Sequence, residues 1–400
     1  MVVVIGAGEL HRAAEWASLA PALRTPPWGF AWAAPLLPAT PHTAELLRWA
    51  TIAAASFAGV GLFTRAALCV TAALLLLALA LPQQWGAGVH THHLWWFTVL
   101  LAASPCADAL SLDAKRRGAT APPAPSLAHG VPVRAAWLCI GLILFFPGFW
   151  KLRTQGLDWA LTDNLKHQLW FKWLEHGAQP AVRLDRWPAL LKVGGAGVLA
   201  LELGFVGIVL VERLRPFAVA AALAFHAATR AFFFIGFSSL WACYVVFAPW
   251  SRWLDREPTS PAPPRSPWPA LAAATFVLCG VALAGARGVE HGWPFACYPT
   301  FRHDPGPEAP VLVAVEVLEG GETREVPLDF LRGDGGQKEW SAMWHLLSSP
   351  TAQGLTAWWR AHRTATGAVK RVQLYRAWWP ADPDARTPPR RGELLLEVSP

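Results

Sequence analysis

An apolar run from Ala135 to Trp150 ends at Lys151. An amine at that depth is either an anchor that snorkels to the interface or a chemical group. Burial disfavours the charged form of an amine, so a lysine desolvated at the mouth of a bundle can act as a base near neutral pH. Three histidines, His90, His92 and His93, open another apolar run, Leu94–Ser104. They can cap a helix in the interface, assist a proton transfer, or bind metal. An HxHH pattern can ligate zinc, but no nearby carboxylate or cysteine completes a site. Glu202 and His226 lie inside apolar runs. Ionisable groups there are costly and usually face the bundle interior or a cavity, so the two either pair with each other or line a ligand site.

These residues need a membrane bundle to position them. The 400 residues are 54% hydrophobic and only 15% charged, whereas soluble domains carry about 25% charged residues. The composition marks an integral membrane protein, and a soluble segment after the last apolar run makes a second part. A crossing helix needs roughly 20 apolar residues, fewer if polar ends reach the interface. The candidates are Leu46–Phe63, Ala66–Leu81, Leu94–Ser104 extended to about Ala109, Ala135–Trp150, Leu190–Val211, Phe217–Phe233, Gly236–Trp250 and Pro269–Ala286. The fold class is therefore an all-α polytopic bundle of about eight spans followed by a small α+β extramembrane domain. The parts are an N-terminal segment, 1–45, a partial span or interfacial; a transmembrane bundle, 46–287; and a C-terminal domain, 288–400.

Arg65, then Lys115-Arg116-Arg117, then Arg213 and Arg215, then Arg252, Arg256 and Arg265 fall on alternate loops. Basic loops face the cytoplasm, which puts the C-terminal domain on the extracytoplasmic side of the cell membrane. Lys151–Trp187 carries six Lys or Arg on that opposite side. Within it Leu161, Leu165, Leu169, Trp170, Trp173 and Leu174 recur at helical spacing, which predicts an amphipathic interfacial helix near 157–176 with Asp158 as its N-cap. The third span then starts, and the fourth ends, on one side of the membrane. The histidines and Lys151 share that end, and consecutive helices tend to be neighbours. Asp113 beside Lys115-Arg116-Arg117 reads as a solvated cytoplasmic cap. The formal charge of +7 suits anionic lipid better than nucleic acid, since no basic stripe is interleaved with aromatics.

Other stretches are weaker. Val2–Gly8 looks like a strand entering a dinucleotide loop, but His11 stands where a third glycine belongs. It reads instead as the tail of a membrane helix. Residues 23–42, rich in Pro and Trp, read as interfacial. The six cysteines contain no CxxC and read as small hydrophobes, with no disulfides or metal site. Pro258–Pro267 is a linker between the last two spans. Beyond them, Val311–Leu318 and Glu325–Leu328 around Gly320-Gly321 form a hairpin signal. Trp340–Leu347 and Thr351–Arg363 look helical, and Lys370–Trp378 and Glu393–Val398 look like strands.

Four stretches, in order, carry a resemblance. They are His92-His93-Leu94 through Ser111-Leu112-Asp113; Pro147-Gly148-Phe149-Trp150-Lys151-Leu152 with Gly156-Leu157-Asp158-Trp159; Glu202 to Arg215 with Phe225-His226; and Trp293-Pro294-Phe295 to Tyr298-Pro299-Thr300-Phe301. Over roughly residues 45–305 the chain resembles the vitamin K-dependent gamma-carboxylase family in its bacterial form, the HTTM (horizontally transferred transmembrane) domain. The resemblance implies a carbon–carbon lyase in which Lys151 is the base that deprotonates reduced vitamin K or a menaquinone-like quinol. Oxygen then converts the quinol to its epoxide, a glutamate γ-carbon in a partner protein or peptide loses a proton, and carbon dioxide adds. It implies a supporting histidine among His90, His92 and His93, and a quinone site involving Trp150, Glu202 and His226. Residues 306–400 are too few for the large β-rich region that binds the propeptide in the animal carboxylase.

Three classes of function compete. An enzyme would lose activity when Lys151 is substituted. A transporter would show internal repeats and helices broken at matching positions, and Gly194-Gly195-Ala196-Gly197 offers only a weak break. A non-catalytic scaffold would use Lys151 as an interfacial anchor. In every case the lipid bilayer is a partner.

Overall fold

The computed structural model describes residues 6–33, 40–85, 90–118, 126–250, 265–297, 301–326, 336–362, 368–385 and 390–399. The Val2–Ile5 run, most of the Pro258–Pro267 linker, Arg252, Arg256 and Tyr298-Pro299-Thr300 lie outside the described residues.

Helix α1 (Gly6–Trp16) packs on α2 (Pro41–Val60), whose start is fixed by Pro41 and by the Thr40 hydroxyl, which accepts the Thr43 N–H. Then come α3 (Thr64–Ala78), α4 (Ala80–Gln83), α5 (His92–Ala103), the short α6 (Leu112–Arg116) and α7 (Leu127–Gln155). Next are α8 (Asp158–Leu161), α9 (Asn164–His176), α10 (Pro188–Ile208), α11 (Arg215–Phe233), α12 (Ser238–Cys243) and α13 (Trp268–Ala286). Among the described residues, five helical stretches are long and apolar enough to cross a membrane, which is compatible with a multi-pass membrane protein: Thr64–Gln83, α7, α10, α11 and α13. They are five of the eight expected spans, and the other three do not meet that length and hydropathy. Helix α2 has the length but carries Glu45 and Arg48 and is less apolar. Helix α5 has 12 residues, about 18 Å against a hydrocarbon core of about 30 Å. Gly236–Trp250 yields only α12 and the 3-10 turn Tyr244–Phe247.

Helix α7 is the axis of the bundle and packs against α5, α10 and α13. It continues past Lys151 to Gln155 and ends where the Gly156 N–H meets the Leu152 carbonyl. Lys151 is thus inside a helix, with a full turn beyond it, rather than at its mouth. The interfacial helix is divided into α8 and α9. Asp158 is the first helical residue of α8 and makes no cap, and Asp163 takes the N-cap position of α9. Helix α10 runs unbroken through Gly194–Gly197. Asp113 is more than a solvated cap: its carboxylate accepts the Phe63 N–H, the Thr64 N–H and the Thr64 hydroxyl, tying α6 to the start of α3.

The C-terminal part is a four-stranded antiparallel sheet in the order β2-β1-β3-β4, with β1 Glu308–Leu318, β2 Thr323–Val326, β3 Val369–Pro380 and β4 Arg390–Val398. Helices α14 (Gly336–Ser348) and α15 (Ala352–His362) contribute Met343, Leu346, Leu355 and Trp358 to the core it shares. Buried Glu316 on β1 accepts from the Trp359 indole and from Arg324.

A charged clamp fastens this domain to the loop between α9 and α10. Arg183 bonds Asp185 at 2.6 Å and Asp384 at 3.0 Å, and the Trp170 indole donates to Asp185 at 2.9 Å. Burial pushes the Asp185 carboxyl up, but the Arg183 guanidinium and Trp170 N–H pull it back below its ordinary value. The hydrogen bond from Arg183 likewise holds Asp384 low. Carboxylates depressed in the folded state add stability that is complete above their unfolded pKa, about 3.9, and is lost as pH falls through the lower folded values. The thermal midpoint of Arg183→Gln should therefore lie below that of the native chain by a constant gap above about pH 5. The gap should close below about pH 4, as a paired pH series of melts will read.

Candidate active site

Lys151 and Glu202 meet in the middle of this framework. The Lys151 Nζ donates to Glu202 Oε1 at 2.5 Å, and each side chain is only 3% exposed. The approach depends on Gly148, one turn before Lys151: a Cβ there would lie 2.8 Å from the Glu202 Cβ. Glu202 Oε2 is buried and, among the described residues, has no hydrogen-bond partner. On the other side of the amine, Nζ stands 4.9 Å from the centre of the Trp159 ring, within reach of a cation–π contact. Lys151 therefore does not snorkel, and Glu202 takes Lys151 as its partner rather than His226.

The surroundings keep this pair enclosed. The Trp159 indole donates to the Phe301 carbonyl at 2.5 Å, and Asn164 donates to the Trp159 carbonyl at 3.1 Å. Thr154 donates to the Arg302 carbonyl, Gln168 to the His303 carbonyl, and His167 bonds Asp304 at 2.8 Å. Segment 301–304 is thereby strapped to the last turn of α7 and to α9. Trp150 points away from Lys151 and donates to the Gly285 carbonyl at 2.8 Å.

The histidines form a second group. Phe237 lies between His90 and His226, at 5.6 and 5.2 Å between ring centres. His226 Nε2 is 3.1 Å from the Tyr244 hydroxyl. His93 is buried on the same side, and among the described residues its Nε2 and the Nδ1 of His226 have no hydrogen-bond partner. His92 turns away, donating from Nε2 to the Gly292 carbonyl at 2.8 Å and facing Trp293. Lys151 and the histidines do share one end of the bundle, because Gly285–Gly288 packs on Trp150 while Gly292–Trp293 packs on His92. Among the described residues, neither His93 nor His226 makes a hydrogen bond, ion pair or ring contact with Lys151 or Glu202.

In the sequence Trp159 stands in a turn with nothing to set it beside Lys151. Tyr244 carries a signal the sequence does offer, since a phenol within an apolar run needs a buried polar partner.

The fold and the pair define a mostly helical chain with, among the described residues, five helices apolar enough to cross a membrane and a buried lysine–glutamate contact between the two longest of them. No known protein family matches the chain, and neither a curated protein nor a solved structure does.

Proposed function

We propose that this chain is a membrane enzyme in which Lys151 is the base that accepts a proton from a reduced naphthoquinone. The observation that carries the reading is the enclosed Lys151–Glu202 pair with its unpartnered carboxylate oxygen. One proton shifted along the 2.5 Å hydrogen bond turns ammonium and carboxylate into amine and carboxylic acid. The amine at Nζ is then a base, and Glu202 holds the proton beside it. An unsatisfied buried oxygen favours a ligand that brings a hydroxyl donor, and Trp159 offers an aromatic face; both fit a planar quinol. His93 and His226 offer further unpartnered nitrogens in the same bundle.

The quinol supplies an acidic hydroxyl and the reducing electrons: quinol plus oxygen gives quinone epoxide plus water. In the full reading, carbon dioxide is a co-substrate and a glutamate-bearing protein or peptide the acceptor. The same reading takes the basic loops as cytoplasmic and the C-terminal domain as lying outside the cytoplasm, with α2, α5 and α12 packed beside the five longer helices as an eight-helix bundle.

The test is oxygen-dependent formation of epoxide from a reduced naphthoquinone by the chain in nanodiscs. The native protein should form it, and a folded Lys151→Ala variant should form less than about one part in a hundred, as removal of a general base predicts. A folded native chain that yields no epoxide from phylloquinone-like or menaquinone-like quinols overturns the reading. A second reading, a scaffold, draws on the same pair as a bolt between α7 and α10. It requires that Lys151 and Glu202 be replaceable together by apolar residues with no loss beyond stability.

A further inference from the structure

The end of α7 remote from Lys151 carries features that the pair does not use. Leu127 is 24 positions before Lys151 in the same helix, about 36 Å away along the axis. At that end two bulky apolar residues, Phe63 and Leu110, have left-handed backbones, with φ of 47° and 53°. Such a conformation costs an L-residue with a Cβ about 1–2 kcal/mol. Both side chains are nonetheless turned outward, 64% and 89% exposed. The strain is imposed by a rigid joint. Asp113 accepts the N–H of Phe63 and of Thr64 and donates its own N–H to the Gly61 carbonyl. Gly61 itself, at φ +73°, leaves no room for a Cβ, which would fall 2.3 Å from the Ser111 Cβ. Strain held in place by such contacts is a pointer to use.

Between these residues an open groove of about 500 Å³ is lined by Val60, Leu110, Leu112 and Lys115, among others. Lys115 gives its lining a cation. The next residue, Arg116, lies over the Phe63 ring at 5.7 Å, and Arg65, in the first turn of α3, reaches the Ala102 carbonyl. The nearby carboxylates are already engaged: Asp113 by backbone N–H groups, and Asp108 by Arg117, His129 and Arg265. Among the described residues, Lys115, Arg116 and Arg65 have no carboxylate partner.

We propose that this groove binds an acidic phospholipid, with its phosphate on Lys115 and Arg116 and its acyl chains against Val60, Leu110 and Leu112. Charge complementarity selects the headgroup. Continuity selects an amphiphile: the groove opens at the start of α3, the first stretch apolar enough to cross the bilayer. This site is independent of the chemistry assigned to Lys151.

The test uses the full chain in nanodiscs made from equal amounts of phosphatidylcholine and phosphatidylglycerol. Lipid retained on mild release is counted by native mass spectrometry. Each cation near an anionic surface is worth about a five-fold preference, so the native chain should retain phosphatidylglycerol well above the supplied ratio. Lys115→Gln with Arg116→Gln should cut that preference about ten-fold or more. Lys192→Gln with Arg287→Gln removes the same charge at exposed positions elsewhere and should leave it unchanged. Retention at the supplied ratio by the native chain overturns the proposal, as does an equal fall in both variants. Gel filtration and the thermal midpoint establish that each variant is folded.

Discussion

Glu202→Ala should destabilise the bundle by about 3–5 kcal/mol, whereas Lys151→Met combined with Glu202→Leu should be close to neutral or stabilising. The asymmetry follows from burial. Both side chains are 3% exposed and each is the other's principal partner. Removing one carboxylate leaves an ammonium in an apolar interior with nothing to balance it, the costly case for a buried pair. Removing both charges in favour of apolar groups of similar volume avoids the desolvation penalty altogether. A double-mutant cycle on unfolding midpoints in nanodiscs measures the coupling. Single and double variants of equal stability would mean that water reaches the pair. The same cycle separates the two functional readings: an enzyme loses epoxide formation in the stable double variant, and a scaffold has no such activity to lose.

The site was partly legible because charge is conspicuous in an apolar sequence. Lys151, Glu202 and His226 each stand out against their runs, and each is buried as an ionisable group within a bundle should be. Their pairing was not legible. Lys151 and Glu202 are 51 positions apart, and nothing in composition says which faces of α7 and α10 meet. Glycines on α7 decide that: a Cβ at Gly148 would lie 2.8 Å from the Glu202 Cβ, and one at Gly141 would lie 2.8 Å from Cγ2 of Val206 on α10. The length of α7 is hidden for a related reason. Hydropathy stops at the first charge, but Lys151-Leu152-Arg153-Thr154-Gln155 contains no helix breaker before Gly156. The opposite error was made at α5 and α12. Apolar composition does not give helix length where Ser104-Pro105 ends one helix and a left-handed Phe234 precedes the other. The C-terminal strands are legible because the apolar run of β1, the two-residue spacing of buried Val372 and Leu374 in β3 and the turn at Gly321, φ +84°, are local signals.

Gly285→Ala, a single added methyl group, should cost about 1–3 kcal/mol, the range for overpacking a filled core. A Cβ at Gly285 would lie 2.1 Å from Cδ2 and Cε2 of Phe146, so the whole ring must leave its place against α13. Phe146 is itself in α7, and the Gly285 carbonyl holds the Trp150 indole one residue before Lys151. The displaced ring and the lost hydrogen bond therefore act on the same turn of helix that carries the amine. The comparison that isolates this effect is Gly194→Ala or Gly197→Ala in α10, where an added Cβ meets nothing within 4 Å. There the change from glycine to alanine inside a helix should stabilise by about 0.5–1 kcal/mol. Thermal midpoints of the three variants in the same nanodiscs should fall on opposite sides of the native value. If Gly285→Ala melts with the Gly194 variant, α7 and α13 are not packed ring against backbone, and the glycine does not set the position of Lys151.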